Sequence, residues 1–331
     1  MNSENIKGIL NPVSIREMAT SFQQSRILLT AFELDIFTHL DGRLLTASAL
    51  AEKIYADERA LDRLLNALIT LGLVRKTHNK FFNTEESSRY LVKGKPEYMA
   101  GLMHTNHLWD TWSNLTVSVR AGTEAPKKER RGNNWLEAFI GAMHYRAMPQ
   151  AKIVSFLIDF QNVNSLLDLG GGSGAFAITF AKNNPSIAAT VFDLPDVIEL
   201  TKIYVAEENL QDRFNYIKGD YLVDNYGSGY DMIFASAIVH INSLDENNNL
   251  VKKCYNSLNS GGKLVIFDYV MNEDRTEPKP GAVFALNMLV GTKCGDTYTE
   301  NEMKAWFNNA GFSDIERKDT SFGTSLIIAK K

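Results

Sequence analysis

Cysteine is almost missing: Cys254 and Cys294 are the two in 331 residues. Two thiols cannot staple a disulfide scaffold, and without CxxC spacing they make neither a metal nor a redox motif. Histidine is sparse too, at positions 39, 78, 104, 107, 144 and 240. His104 and His107 are helix neighbours, but no HExxH or Cys/His cluster accompanies them, so no metal site is expected. Basic residues are not in excess, with 35 Lys and Arg against 39 Asp and Glu and a net charge of −4. That balance gives no general attraction to nucleic acid or to an anionic membrane. Nowhere do about 18 uncharged apolar residues run together, and the opening MNSENIKGIL has no apolar run of the kind a signal peptide carries. What remains is an ordinary cytoplasmic enzyme, long enough for two domains with real cores.

The two halves differ in pattern. Residues 12 to 105 are predicted mainly helical, because PVSIREMATSFQQSRILLTAFELDIFTHL repeats apolar residues every three or four positions over a wide face. TASALAEKI, a break at Tyr55-Ala56 and DERALDRLLNALITLGLV predict a helix, a turn and a second helix capped by Asp57. LVRKTHNKFFNTEE then predicts two short strands about a turn at His78-Asn79, which completes a winged-helix pattern. A groove-reading helix would present a basic face, yet Asp57, Glu58 and Asp62 outnumber Arg59 and Arg63, so DNA binding is not expected. A connecting region, 106 to 150, holds Trp109, Trp112 and Trp135 around the charged stretch TEAPKKERRGNN, which reads as a solvated loop. From Ser165 onward SLLDL, AATVFDL, FNYIKGD, YDMIFAS and GKLVIFDYV alternate with helical segments, the signature of an α/β unit with a largely parallel sheet. The tail FSDIERKDTSFGTSLIIAKK adds an antiparallel hairpin turning near Gly323.

LLDLGGGSGAF, residues 166 to 176, places Gly170, Gly171, Gly172 and Gly174 between a strand and a helix. Glycines there admit positive φ and a close ligand, and the helix start offers free N–H groups, so the turn suits a nucleotide. A P-loop is excluded because no Gly-Lys-Ser/Thr closes it. Gly170, Gly172 and Ala175 also satisfy the dinucleotide pattern, with Asp193 at the end of the next strand as its ribose acid, so the glycines alone leave NAD open. Asp168 argues the other way, since an acid just before the turn repels a pyrophosphate and suits a ligand carrying an ammonium or sulfonium.

The ordered series DLGGGSG, FDLP, KGDY and SGGKLVIFD resembles the class I S-adenosylmethionine-dependent methyltransferases. Residues 12 to 331 further resemble bacterial and plant small-molecule O-methyltransferases with an N-terminal winged-helix dimerisation domain, the hydroxyneurosporene-type group included. The resemblance implies a Rossmann-like α/β domain over 106–331, connecting helices included, after a mainly helical winged-helix domain over 1–105. It also implies a homodimer interlocked through its N-terminal helices, and a hydroxylated small-molecule acceptor, aromatic or polyketide-like. S-adenosylmethionine is the implied cofactor and S-adenosylhomocysteine the product. On this pattern Asp168, Gly170, Gly171 and Gly172 wrap the methionine part, Asp193 and Leu194 belong to the ribose motif, and Asp220 with Tyr221 flanks the adenine. Ser236 stands where plant members have a lysine.

His240 occupies the family position of the base that takes the acceptor proton, although Ile241 and Asn242 replace the Asp-Trp that follows it in plant members. Imidazole suits the work, because an ordinary pKa near 6.5 leaves it able to accept a proton at neutral pH. Asp268 falls at the spacing of the family's orienting acid. The second family acid, a glutamate, is replaced by Thr297, with Asp296 beside it. Met143 and Met288 match methionines that sandwich a flat acceptor, and His144 and Asn287 adjoin them as hydrogen-bonding candidates. Other readings are a winged-helix regulator sensing a small ligand, an NAD-dependent oxidoreductase, and a cofactor-binding relative with other chemistry. The first lacks its basic surface, and the second has no use for Asp168 or the GDY segment.

Overall fold

The computed structural model describes residues 10–126 and 135–331. The stretch KKERRGNN, expected as a solvated loop, and most of the opening MNSENIKGIL lie outside the described residues. The chain divides into two compact units between Asn106 and His107.

In the first unit, helices Pro12–Thr20, Phe22–Glu33, Ile36–Leu40, Ala47–Ile54 and Glu58–Thr70 precede a hairpin of β1 (Val74–Thr77) and β2 (Lys80–Asn83). Side chains set the helix starts: Thr46 accepts from the Ala49 N–H, and Asp57 accepts from that of Ala60 at 2.8 Å. Left-handed Tyr55 ends the fourth helix, and His78 and Asn79, at φ 44° and 60°, form the two-residue turn that matches strand twist. Leu50, Leu65 and Leu68 bury the apolar stripes of the turn's two helices against Phe37 and Phe81. The first helix differs, because none of its residues is buried and Val13, Ile15 and Met18 are all exposed.

The second unit is built on a seven-stranded sheet. In chain order its strands are β3 (Ser165–Leu169), β4 (Ala188–Asp193), β5 (Phe214–Lys218), β6 (Tyr230–Ser236) and β7 (Leu258–Asp268). Then come two short pieces, β8 (Val270–Met271) and β9 (Tyr298–Thr299), paired with each other, and the hairpin β10 (Ser313–Asp319) and β11 (Ser325–Lys330). Spatial order is β10-β11-β7-β6-β3-β4-β5, with β11 antiparallel to both β10 and β7 and the other neighbours parallel. The order reverses between β3 and β6, and a crevice at the carboxyl ends of such strands is where doubly wound sheets bind ligands.

Strand parity divides the core. Leu167, Ile233 and Ile266 pack on one face, and Leu166, Phe234 and Val265 on the other. The same parity assigns the acids at the strand ends. Asp168 and Asp193 fall on the second face, under helix Ala175–Asn183, whereas Asp268 falls on the first. Among the described residues no helix is long and apolar enough to cross a membrane.

Candidate active site

The turn after β3 is held from several sides. Gly170, Gly172 and Gly174 take φ values of 67°, 57° and 77°, where an L side chain is strained. A Cβ at Gly171 would come within 2.8 Å of the Asp168 carboxyl carbon and of Val191, so the chain has to pass bare over the buried acid. The Gly170 N–H donates to the Phe192 carbonyl at 2.8 Å, and the Gly172 N–H donates to Asp193 Oδ2 at 2.8 Å. Thr201 Oγ1 donates to the Gly172 carbonyl at 2.6 Å. Backbone and the Asp193 carboxylate are thus joined.

Asp168 is 1% exposed, and among the described residues its carboxylate has one hydrogen bond, from the Ala177 N–H to Oδ2 at 3.3 Å, while Oδ1 is buried without a partner. Burial raises the carboxyl's pKa to about 7, the Ala177 bond opposes the shift, and the nearby charge of Asp193 adds to it. Burial also raises Asp193, partly offset by the N–H groups of Gly172 and Leu194. Two acids that disfavour each other's ionisation, beside an open glycine turn, form a lining that a cation relieves.

Leu194 is exposed beside Asp193, and Asp220 is exposed with its Oδ1 accepting from the Leu222 N–H at 2.9 Å. Tyr221 turns inward. Its hydroxyl donates to Asn242 Oδ1 at 3.1 Å, and burial raises its pKa. Asn242 Nδ2 donates to Asn247 Oδ1 at 3.0 Å, and Asn247 Nδ2 donates to the Val239 carbonyl at 2.8 Å. The Tyr298 hydroxyl donates to the Asn242 carbonyl. A buried polar chain therefore runs from the GDY segment to the turn carrying His240. The departure noted at position 242 is filled by an amide that uses both its ends.

Ser236 ends β6, and the next residue, Ala237, is left-handed at φ 56°. Such strain in a residue with a side chain persists only where the surroundings hold it, here by an Ala237 N–H bond to the Phe267 carbonyl. The 3₁₀ turn Val239–Ile241 follows and carries His240 to the end of β7. His240 Nδ1 lies 2.8 and 2.9 Å from the two oxygens of Asp268, with the residues 8% and 4% exposed. Asp268 Oδ1 also accepts from the Tyr269 N–H at 2.8 Å. A carboxylate against Nδ1 puts the proton there and leaves Nε2 as the acceptor. No group among the described residues occupies Nε2.

Sequence reasoning left Phe284 out, because nothing in composition distinguishes it from core. On helix Lys279–Gly291 its ring meets the His240 ring edge-on at 4.8 Å and the Tyr269 ring at 5.0 Å. Met288, one turn on, is buried on the same side, and Asn287 accepts from Trp112 Nε1 at 2.9 Å. Met143 is half-buried on helix Trp135–Leu157. Its neighbour His144 faces the glycine turn, with Nδ1 2.9 Å from Ser173 Oγ and its ring stacked on Tyr204 at 4.2 Å. Thr297 is buried, and its hydroxyl donates to the Gly281 carbonyl at 3.4 Å. Asp296 does not take the glutamate's place: its carboxylate turns to Arg275 at 3.4 Å, and only its backbone N–H reaches the His240 carbonyl. Among the described residues the imidazole has one carboxylate, that of Asp268.

Residues 127–313 match the model of the O-methyltransferase domain, and residues 16–93 match that of the O-methyltransferase dimerisation domain. The chain is 29% identical to 3-hydroxy-5-methyl-1-naphthoate 3-O-methyltransferase of Streptomyces sahachiroi, over 96% of this chain and 94% of that one. It is 27% identical to the tetracenomycin polyketide synthesis 8-O-methyl transferase of Streptomyces glaucescens, over 98% of each. Among solved structures, human N-acetylserotonin methyltransferase in complex with SAM superposes with a TM-score of 0.85 at 25% identity, covering 100% of this chain and 99% of that one.

Proposed function

Because the chain belongs to the O-methyltransferase family and is a small-molecule, S-adenosylmethionine-dependent enzyme, we propose that it methylates a hydroxyl on a flat aromatic or polyketide-like acceptor, with His240 as general base. The observation that carries this reading is the pairing of Asp268 with His240 Nδ1, which orients an unoccupied Nε2. Flat ring chemistry is supported by Phe284 and Met288 on the His240 side of one helix, by Met143, and by the naphthoate and polyketide named for two relatives.

The residues present fit the cofactor. Gly170 and Gly172, at positive φ, and the bare Gly171 between them leave a cradle, and the Asp168 oxygen without a partner among the described residues and the acid pair favour a cation beside it. S-adenosylmethionine supplies an electrophilic methyl group on a positively charged sulfur. Asp193 keeps lone pairs beyond those used by Gly172 and Leu194, so it would accept from ribose hydroxyls; Leu194, Asp220, Tyr221 and Ser236 would border the nucleoside. With the methyl group passing from sulfur to the acceptor oxygen, so that the S–C bond breaks and the neutral thioether of S-adenosylhomocysteine leaves, His240 Nε2 would take the acceptor's hydroxyl proton and Asp268 would stabilise the resulting imidazolium. Screening phenolic acceptors by mass spectrometry tests the assignment. Absence of any O-methylated product from an enzyme that binds the cofactor would sink it.

Asp193→Ala is expected to weaken S-adenosylmethionine binding about tenfold or more, since hydrogen bonds to a charged acceptor contribute about 1.5–3 kcal/mol each. Calorimetric titration of folded variant and wild type reads the difference, and equal affinities would contradict the ribose role. The homodimer reading rests on the dimerisation-domain match and on the exposed Val13, Ile15 and Met18 of a helix with no buried residue. Light scattering at micromolar concentration is expected to give twice the chain mass; a monomer would overturn it.

A further inference from the structure

Arg146 lies on helix Trp135–Leu157, three residues after Met143 and so on the same face. Its Nη2 donates to the Tyr269 hydroxyl at 3.3 Å. Tyr269 follows the orienting Asp268 directly, and its ring packs on Phe284, which packs on His240. A guanidinium therefore stands at the end of the aromatic cluster that begins at the base. Among the described residues no carboxylate lies within ion-pair distance of it, although most arginines and lysines with a nearby acid use it, as Arg275 uses Asp296 and Glu302. One of its five donors is engaged, which leaves the rest of the fork for a planar anion.

The charge around the centre strengthens the point. Asp268, at the carboxyl end of β7, carries the carboxylate paired with His240, and an anionic acceptor brought beside that pair is repelled unless a cation offsets it. A neutral acceptor would need no such cation.

We propose that Arg146 anchors an anionic substituent of the acceptor, which is a planar hydroxyaryl carboxylate. Guanidinium and carboxylate match as two parallel N–H···O bonds, and that bidentate pairing fixes the ring's direction as well as adding affinity. With the carboxylate at Arg146, the hydroxyl at the other end of the ring system is directed along Tyr269 and Phe284 toward His240. The inference rests on the acceptor chemistry proposed above and adds the end-group that selects among aromatic acceptors.

The test separates the two. Equilibrium binding of 6-hydroxy-2-naphthoate, whose carboxylate and hydroxyl sit at opposite ends of the ring system, and of its methyl ester, one methyl larger and uncharged, is measured by calorimetry on the full chain saturated with S-adenosylhomocysteine. Wild type is expected to favour the acid about tenfold or more. Arg146→Gln is expected to bind acid and ester alike, and Arg146→Lys to recover part of the preference, because a lysine keeps the charge and loses the fork. A merely structural brace on Tyr269 would weaken both ligands together. No preference in wild type, or a preference that survives Arg146→Gln, overturns the inference. Methylated product is assayed in parallel. A preference that depends on Arg146 without any product leaves the anchor standing and removes the O-methylation reading; product from both ligands with no dependence on Arg146 does the reverse.

Discussion

Replacing His240 with glutamine is expected to lower kcat by about 10²–10⁴-fold while leaving S-adenosylmethionine affinity unchanged, the usual loss when a general base is removed. The separation follows from position. His240 contacts Asp268 and Phe284, whereas the glycine turn is braced by Phe192, Asp193, Thr201 and His144. The defect should shrink for acceptors acidic enough to be ionised already, since they need no base. Asp268→Asn should lower kcat comparably, because an amide can donate to Nδ1 and so put the imidazole proton on Nε2, and it no longer favours the protonated ring. Turnover across a series of phenols of graded acidity is the measurement. Equal losses for acidic and weakly acidic phenols, or unchanged turnover, would remove His240 from the proton transfer.

Asp168→Asn is expected to stabilise the cofactor-free protein by a few kcal/mol at pH 8 and to weaken S-adenosylmethionine binding. An aspartate whose pKa climbs from 3.8 to about 7 on folding binds its proton more tightly in the folded state. The folded state therefore loses stability progressively as pH rises from about 4 to about 7, and at higher pH bears the full cost of burying the charge. An asparagine has no charge to bury, so its advantage should be largest above pH 7 and fade as pH falls toward 4. The partnerless position of Oδ1 would then hold an amide donor, which trims the gain by about 1–3 kcal/mol. Wild type should also release protons on binding the cofactor near pH 6.5, as the cation restores ionisation of the carboxyl. Denaturant unfolding at pH 5 and pH 8, with and without cofactor, reads these effects. A variant less stable than wild type at pH 8, or one that binds S-adenosylmethionine as tightly, would show that the buried acid is not the electrostatic seat of the cation.

The amino-acid order by itself determined the elements and the order in which they carry their chemistry. Short apolar runs in SLLDL and YDMIFAS specify strands, Asp57 specifies a helix start, and His78-Asn79 specifies a hairpin turn, because each depends on neighbours a few positions away. The glycine turn was legible in its own residues, whereas FDLP, KGDY and the His240 to Asp268 interval took their meaning from the family resemblance, and a doubly wound sheet brings such strand ends to one edge. What tertiary structure alone decided is where polar side chains turn once packed. His144 adjoins Met143 in sequence, yet the helix's rotation carries it to Ser173 and Tyr204 and gives Met143's face to Arg146. Asp296 neighbours the vanished glutamate, but Arg275 draws its carboxylate away from the imidazole. Phe284 became part of the site only when its helix met His240, and Asn242 only when Tyr221 and Asn247 closed on it from distant parts of the chain. Local pattern governs backbone conformation, whose causes lie within a few residues. Side-chain partnership is settled by the competition among all the groups that folding brings within about 3 Å of each other.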